Sequence, residues 1–171
     1  VERLKPVTRL IPVAAIAGLL MGVYACAQDG MSWQAGGDKT AAAVMYEYPE
    51  QVTVAAGKPA VVELHFRVRD GLHINSHEPR EKSLIRTELI VVEPPGVKVS
   101  GVDFPAGTDY ALKSLPNEKL SVYTGEVVLR AHVTAARGEH LIEAALRYQA
   151  CDTDSCYPPK KAPVAFDVIA K

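Results

Sequence analysis

The sequence predicts an all-β protein, a sandwich of two packed antiparallel sheets, on three observations. Apolar residues recur at every second position in one stretch after another, which sets one face of a strand against a core and the other toward water. Gly and Pro clusters punctuate those stretches at short intervals, as turns between antiparallel strands do. The 171 residues suffice for one domain, and an apolar fraction of 48% is enough to fill its core.

The elements follow in order from Val44. In residues 60–69, Val62, Leu64, Phe66 and Val68 fall on one face, with Glu63, His65, Arg67 and Arg69 on the other. Residues 84–93 are rich in Leu, Ile and Val and stop at Pro94-Pro95-Gly96. A shorter strand at 97–104 ends at Pro105-Ala106-Gly107. Val127, Leu129, Ala131 and Val133 alternate before Arg137-Gly138, and His140, Ile142, Ala144, Leu146 and Tyr148 alternate after it. Val164, Phe166 and Val168 mark the last strand. About seven short strands in this pattern favour a sandwich. Two segments, 70–83 and 107–120, read as long loops, and loops beyond about 12 residues in a compact domain usually have a task. Both are expected to rim a site.

Residues 1–27 read as an export signal. Arg3, Lys5 and Arg9 precede an apolar run over 10–25, broken by Pro12 and followed by small residues. The run of about 16 residues falls short of the roughly 18–20 that cross a bilayer. Two cleavage patterns compete. Val23-Tyr24-Ala25-Cys26 fits a lipoprotein box that makes Cys26 a lipidated first residue, whereas Ala25-Cys26-Ala27 fits a small-x-small site that discards it. Residues 28–43, Gly- and Ala-rich and without periodicity, read as a flexible linker, which leaves 44–171 as the domain. The expected location is the periplasm or cell envelope, with a lipid anchor under the first pattern. A formal charge of −1 and a pI near 6.6 give no basic surface for nucleic acid.

Three cysteines are an awkward number for an exported chain, and either cleavage pattern takes Cys26 out of disulfide chemistry. Cys151 and Cys156 remain, separated by Asp152-Thr153-Asp154-Ser155, a turn-forming run that would bring the sulfurs together. Three readings of this pair stay open on the residues alone. A static bridge is the common one for exported proteins. Its entropic worth is small here, about 2 kcal/mol against about 4.7 for a 100-residue loop, which weakens the static reading until it stands level with a redox role. A zinc site lacks its other two ligands. His73 and His77, with Met31 or Met45, are too few ligands for copper. The expectation is a protein without metal or cofactor.

The run Tyr148-Gln149-Ala150-Cys151 through Cys156-Tyr157-Pro158-Pro159 resembles the cysteine segment of the N-terminal domain of the thiol:disulfide interchange protein DsbD family. Asp70-Gly71-Leu72-His73-Ile74-Asn75 resembles that family's Asp-Gly-aromatic strand segment, and the similarity covers most of 44–171. The resemblance implies an immunoglobulin-like fold and a domain that passes reducing equivalents between a membrane electron donor and periplasmic thiol/disulfide proteins. It makes Cys156 the cysteine that attacks partners and Cys151 the one that resolves. It implies site-lining roles for Tyr148 and Tyr157, and for His73 and Asn75, where the family carries tyrosines. It also implies an aromatic cap within 110–119, for which Tyr110 or Leu112 is the nearest counterpart. The chain stops shortly after the sandwich, so its electrons are expected from a separate membrane protein. The rival reading is a non-catalytic immunoglobulin-like binding lipoprotein with a structural disulfide.

Local charge adds two expectations. Asp152 and Asp154 oppose a thiolate and no helix N-terminus is at hand, so Cys156 should be a sluggish nucleophile at rest. His73 could stabilise that thiolate as a cation or take its proton as a neutral imidazole; the plainer reading is a strand-end histidine in an ordinary hydrogen bond.

Overall fold

The computed structural model describes residues 42–48, 50–112 and 115–171, those of 115–117 by their backbone alone. The expected signal segment, Cys26 and nearly all of the expected linker lie outside the described residues.

Twelve strands and no helix occur among the described residues. They form three four-stranded sheets. The first sheet runs β1 (Val44–Glu47), β3 (Ala60–Val68), β9 (Glu126–Ala135), β6 (Val97–Asp103). The second runs β2 (Gln51–Val54), β12 (Lys160–Ala170), β10 (Gly138–Tyr148), β5 (Glu88–Val92). The third and smallest runs β11 (Ala150–Cys151), β4 (His73–Asn75), β8 (Leu115–Tyr123), β7 (Thr108–Leu112). All pairings are antiparallel except β2 against β12, which is parallel.

The alternation read from the sequence builds the core. Val62, Leu64, Phe66 and Val68 of β3 join Val127, Leu129, Ala131 and Val133 of β9 from the first sheet. Ile142, Leu146, Val164, Phe166 and Val168 join them from the second. Each such Val, Leu, Ile or Phe side chain, once fully buried, contributes about 1.5–3 kcal/mol over leaving it in water. The all-β sandwich expected from the sequence is therefore the fold observed. The core begins at Ala43, whose carbonyl also accepts the Arg69 N–H at 2.9 Å.

Three expectations change. The segment at 70–83 contains β4, and 107–120 is no loop: it forms β7 and most of β8, a hairpin. A strand of three residues shows no period, β7 opens on Thr108-Asp109, and Asn117-Glu118-Lys119 interrupt β8, so no sustained alternation reveals them. The strand expected over 84–93 starts only at Glu88. Leu84 instead closes a turn, its N–H donating to the Glu81 carbonyl at 3.1 Å.

The third sheet positions the cysteines, and its two faces differ. Directly paired residues share a face. Ile74, Tyr123 and Ala150 point into the common core. On the other face lie Cys151 and its partner His73, Asn75 and its partner Val122, and Tyr110 and its partner Leu120. Entry to β4 needs a tight turn in which the Leu72 N–H donates to the Arg69 carbonyl at 3.1 Å. Gly71 sits there at φ 78°, a conformation that favours glycine, which accounts for the Asp-Gly at this point.

Candidate redox site

β10 and β12 form a long hairpin, and the cysteines occupy the excursion between them. Cys151 and Cys156 are joined by a disulfide with Cα atoms 4.0 Å apart and form an isolated antiparallel bridge. The turn closes through backbone bonds: the Asp152 N–H donates to the Ser155 carbonyl at 2.9 Å, and the Tyr157 N–H to the Ala150 carbonyl at 2.8 Å. Asp152 locks it from within. Its Oδ1 accepts the Asp154 N–H at 2.8 Å and the Ser155 N–H at 2.7 Å, and its Oδ2 accepts the Tyr157 hydroxyl. That carboxylate, by accepting the phenolic proton, holds the Tyr157 pKa above its ordinary value. The two sulfurs sit in different surroundings: Cys151 is fully buried, and Cys156 is exposed.

Gln149, quoted in the sequence motif but given no role, holds the excursion to β4. Its Oε1 accepts from Asn75 Nδ2 at 3.2 Å, its Nε2 donates to the Tyr157 carbonyl at 3.2 Å, and its own carbonyl accepts the Asn75 N–H. Asn75 also donates to the Ile85 carbonyl at 3.0 Å, and its carbonyl accepts the Thr87 hydroxyl. Asn75 thus joins β4, the 76–87 segment and Gln149. No sequence signal marked Thr87.

His73 pairs directly with Cys151 across β4 and β11 and is only 1% exposed. Its ring packs on that of Tyr110, centroids 4.2 Å apart and planes tilted by 34°. Burial lowers the His73 pKa, and the Asp152 charge opposes that only in part. The hydrogen bond expected of an ordinary strand-end histidine is missing at Nε2, which is buried without a partner. A cleft of about 290 Å³ opens beside these rings, lined by Arg69, Asp70, His73, Tyr110 and Thr153 among others. Tyr110 is held there by its strand: the neighbouring Asp109 accepts from Arg80 and pairs with Lys119 at 3.2 Å, which keeps its carboxyl below the usual range.

Tyr148 is set apart from this group. It is 2% exposed and belongs to the main core, where with Leu72, Tyr157 and Pro158 it lines a cavity of about 100 Å³. No group of three or more His, Cys, Asp or Glu side chains fit to hold a metal ion occurs among the described residues.

Fold and site together define a β-sandwich domain with one local disulfide, half buried and half open to solvent, at the end of a small sheet. The chain belongs to the family of the thiol:disulfide interchange protein DsbD, N-terminal, whose model matches residues 32–167. No curated protein matches it. Among solved structures it is similar to the reduced DsbD N-terminal domain of Neisseria meningitidis, at 19% identity and a TM-score of 0.43, covering 65% of this chain and 79% of that one. It is also similar to the N-terminal periplasmic domain of ScsB from Proteus mirabilis, at 11% identity and a TM-score of 0.49, covering 72% of this chain and 44% of that one. A third similar structure is the complex between the DsbD and PilB N-terminal domains of Neisseria meningitidis, at 17% identity and a TM-score of 0.45, covering 71% and 80%.

Proposed function

We propose that the chain is an envelope thiol:disulfide carrier that passes reducing equivalents to or from periplasmic proteins through Cys151 and Cys156. The observation that carries this reading is the unequal exposure of the two sulfurs: Cys156 is open to an incoming partner and Cys151 is not. In the reducing direction, the Cys156 thiolate attacks a partner disulfide and a mixed disulfide forms, releasing one partner thiolate. Cys151 then attacks Cys156 Sγ and expels the second partner thiolate. Two electrons have moved to the partner, and the domain is left with its own disulfide. Recharging runs the same steps backward, with electrons from a membrane donor. In this reading Tyr110 of β7, whose ring packs on that of His73, serves as the cap. Membership of the DsbD N-terminal family supports the whole reading, and the basic and apolar opening of the sequence supports export to the periplasm, with Cys26 as the lipidation point if the lipobox is used.

A Cys151→Ala variant leaves Cys156 without its resolving partner, so mixed disulfides should accumulate when it is mixed with envelope extract. A Cys156→Ala variant should trap none. Equal trapping by both variants, or none by either, contradicts the assignment. The reduction potential gives a second check: a carrier lies near about −200 mV, whereas a structural bridge lies below about −300 mV.

A further inference from the structure

We propose that His73 handles the proton of Cys151: its Nε2 takes the thiol proton as the disulfide closes and returns it as the disulfide opens. The inference rests on the exchange reading above and adds a residue to it.

The geometry is specific to Cys151. Cys151 and His73 are paired partners on the outer face of the third sheet, and neighbours so placed have Cβ atoms about 4.5–5.5 Å apart. Both are buried, so bulk water is a poor proton acceptor for Cys151. The Tyr110 ring holds the imidazole in place from the β7 side. Nε2 is the telling atom. In the disulfide form it is buried with no hydrogen-bond partner, an arrangement that costs the folded state. The sulfur opposite has no proton to offer while it is bonded to Cys156. Reduction creates an S–H at Cys151, and that S–H is the donor Nε2 lacks. The charged and titratable groups around the ring are Asp152 from the turn after β11, Tyr110 from β7, and Arg69 and Asp70 from the turn before β4. Burial keeps the imidazole in its neutral, basic form at neutral pH.

The resolving step then balances. A Cys156–partner mixed disulfide stands beside the Cys151 thiol. The thiol proton passes to Nε2, the Cys151 sulfur forms the bond to Cys156 Sγ, and the Cys156–partner bond breaks with its electron pair leaving on the partner thiolate. The imidazolium loses its proton to solvent. In the opening direction Nε2 first takes a proton from solvent, the Cys151–Cys156 bond breaks with its electron pair on Cys151, and that proton passes from Nε2 to the leaving thiolate.

Dithiobis(nitrobenzoate) tests this without a protein partner. With Cys26→Ser in every protein compared, the reduced chain forms a mixed disulfide with it at Cys156, and release of the second thionitrobenzoate reports attack by Cys151. With the parent protein that second release should be level between about pH 6.5 and about pH 8, where the base is neutral and the thiol still protonated. With His73→Gln it should be at least about tenfold slower at pH 7 and should climb about tenfold per pH unit, as an unassisted thiol must ionise first. On the parent protein alone, the His73 Nε2 resonance should shift between the oxidised and dithiothreitol-reduced forms. Matching pH profiles for parent and His73→Gln overturn the proposal, as does an Nε2 resonance that reduction leaves unmoved. Loss of partner trapping with these two results intact would refute the carrier reading alone.

Discussion

At the scale of single residues, Asp152 shows how one side chain can shape a site in two ways. As a hydrogen-bond acceptor it fixes the turn between the cysteines, and as an anion it opposes any thiolate that forms there. No helix N-terminus occurs among the described residues to offset that charge. The Cys156 thiol of the reduced domain is therefore expected to titrate at or above about 8.5, the ordinary cysteine value. Asp152→Asn keeps an oxygen for the two N–H groups but removes the charge. It should lower that pKa and raise the alkylation rate of Cys156 at pH 7 several-fold. Thiolate absorbance during a pH titration measures both proteins, and a parent value below 7 would refute the electrostatic argument. The charge of Asp152 was legible in the sequence. Its capping role was not, because an Asx turn depends on the backbone shape that the disulfide and the Tyr157–Ala150 bond impose.

At the scale of elements, the site is a small sheet held to the sandwich by polar joints. Gln149 is the chief joint, bridging Asn75 of β4 and the carbonyl of Tyr157 beyond the second cysteine. Gln149→Ala leaves those part-buried groups short of partners. It should destabilise the domain by about 1–3 kcal/mol, read as a lower urea midpoint at unchanged slope. It should also speed reduction of the disulfide by dithiothreitol, since the side-chain bonds from Gln149 to Asn75 and to the Tyr157 carbonyl are then lost. A variant with parental midpoint and reduction rate would show that Gln149 carries no load. Strands β3, β9, β10 and β12 were legible because each buries every second residue in a shared core. β4, β7 and β8 were not. β4 is too short for a period, and the outer face of the third sheet carries His73 and Asn75 where a core strand would carry aliphatic residues. The cysteine pair could be read from the sequence, and the family resemblance put His73 beside it, while the bonds by which Gln149 ties the excursion to β4 could not be read.

At the scale of the whole molecule, the third sheet separates two environments. Its inner face closes the aliphatic core with Ile74, Tyr123 and Ala150, and its outer face buries ionisable and polar groups beside the disulfide. Stability therefore registers the state of the site through His73. Burial lowers its pKa in the folded chain, whereas the unfolded chain returns it to about 6.5. Above about 6.5 the residue is neutral in both states and pH has no hold on it. As pH falls through about 6.5 the unfolded state takes up the proton first, so stability drops until pH passes below the depressed folded value. The urea midpoint of the oxidised domain should accordingly fall on acidification from about pH 6.5, at unchanged slope. His73→Phe keeps a ring to pack on Tyr110 but removes the ionisable nitrogen. That variant should hold its midpoint through the window where the parent loses ground. If the two proteins weaken in parallel, protonation of His73 is not what couples acid to unfolding, and its burial beside Cys151 has no thermodynamic consequence.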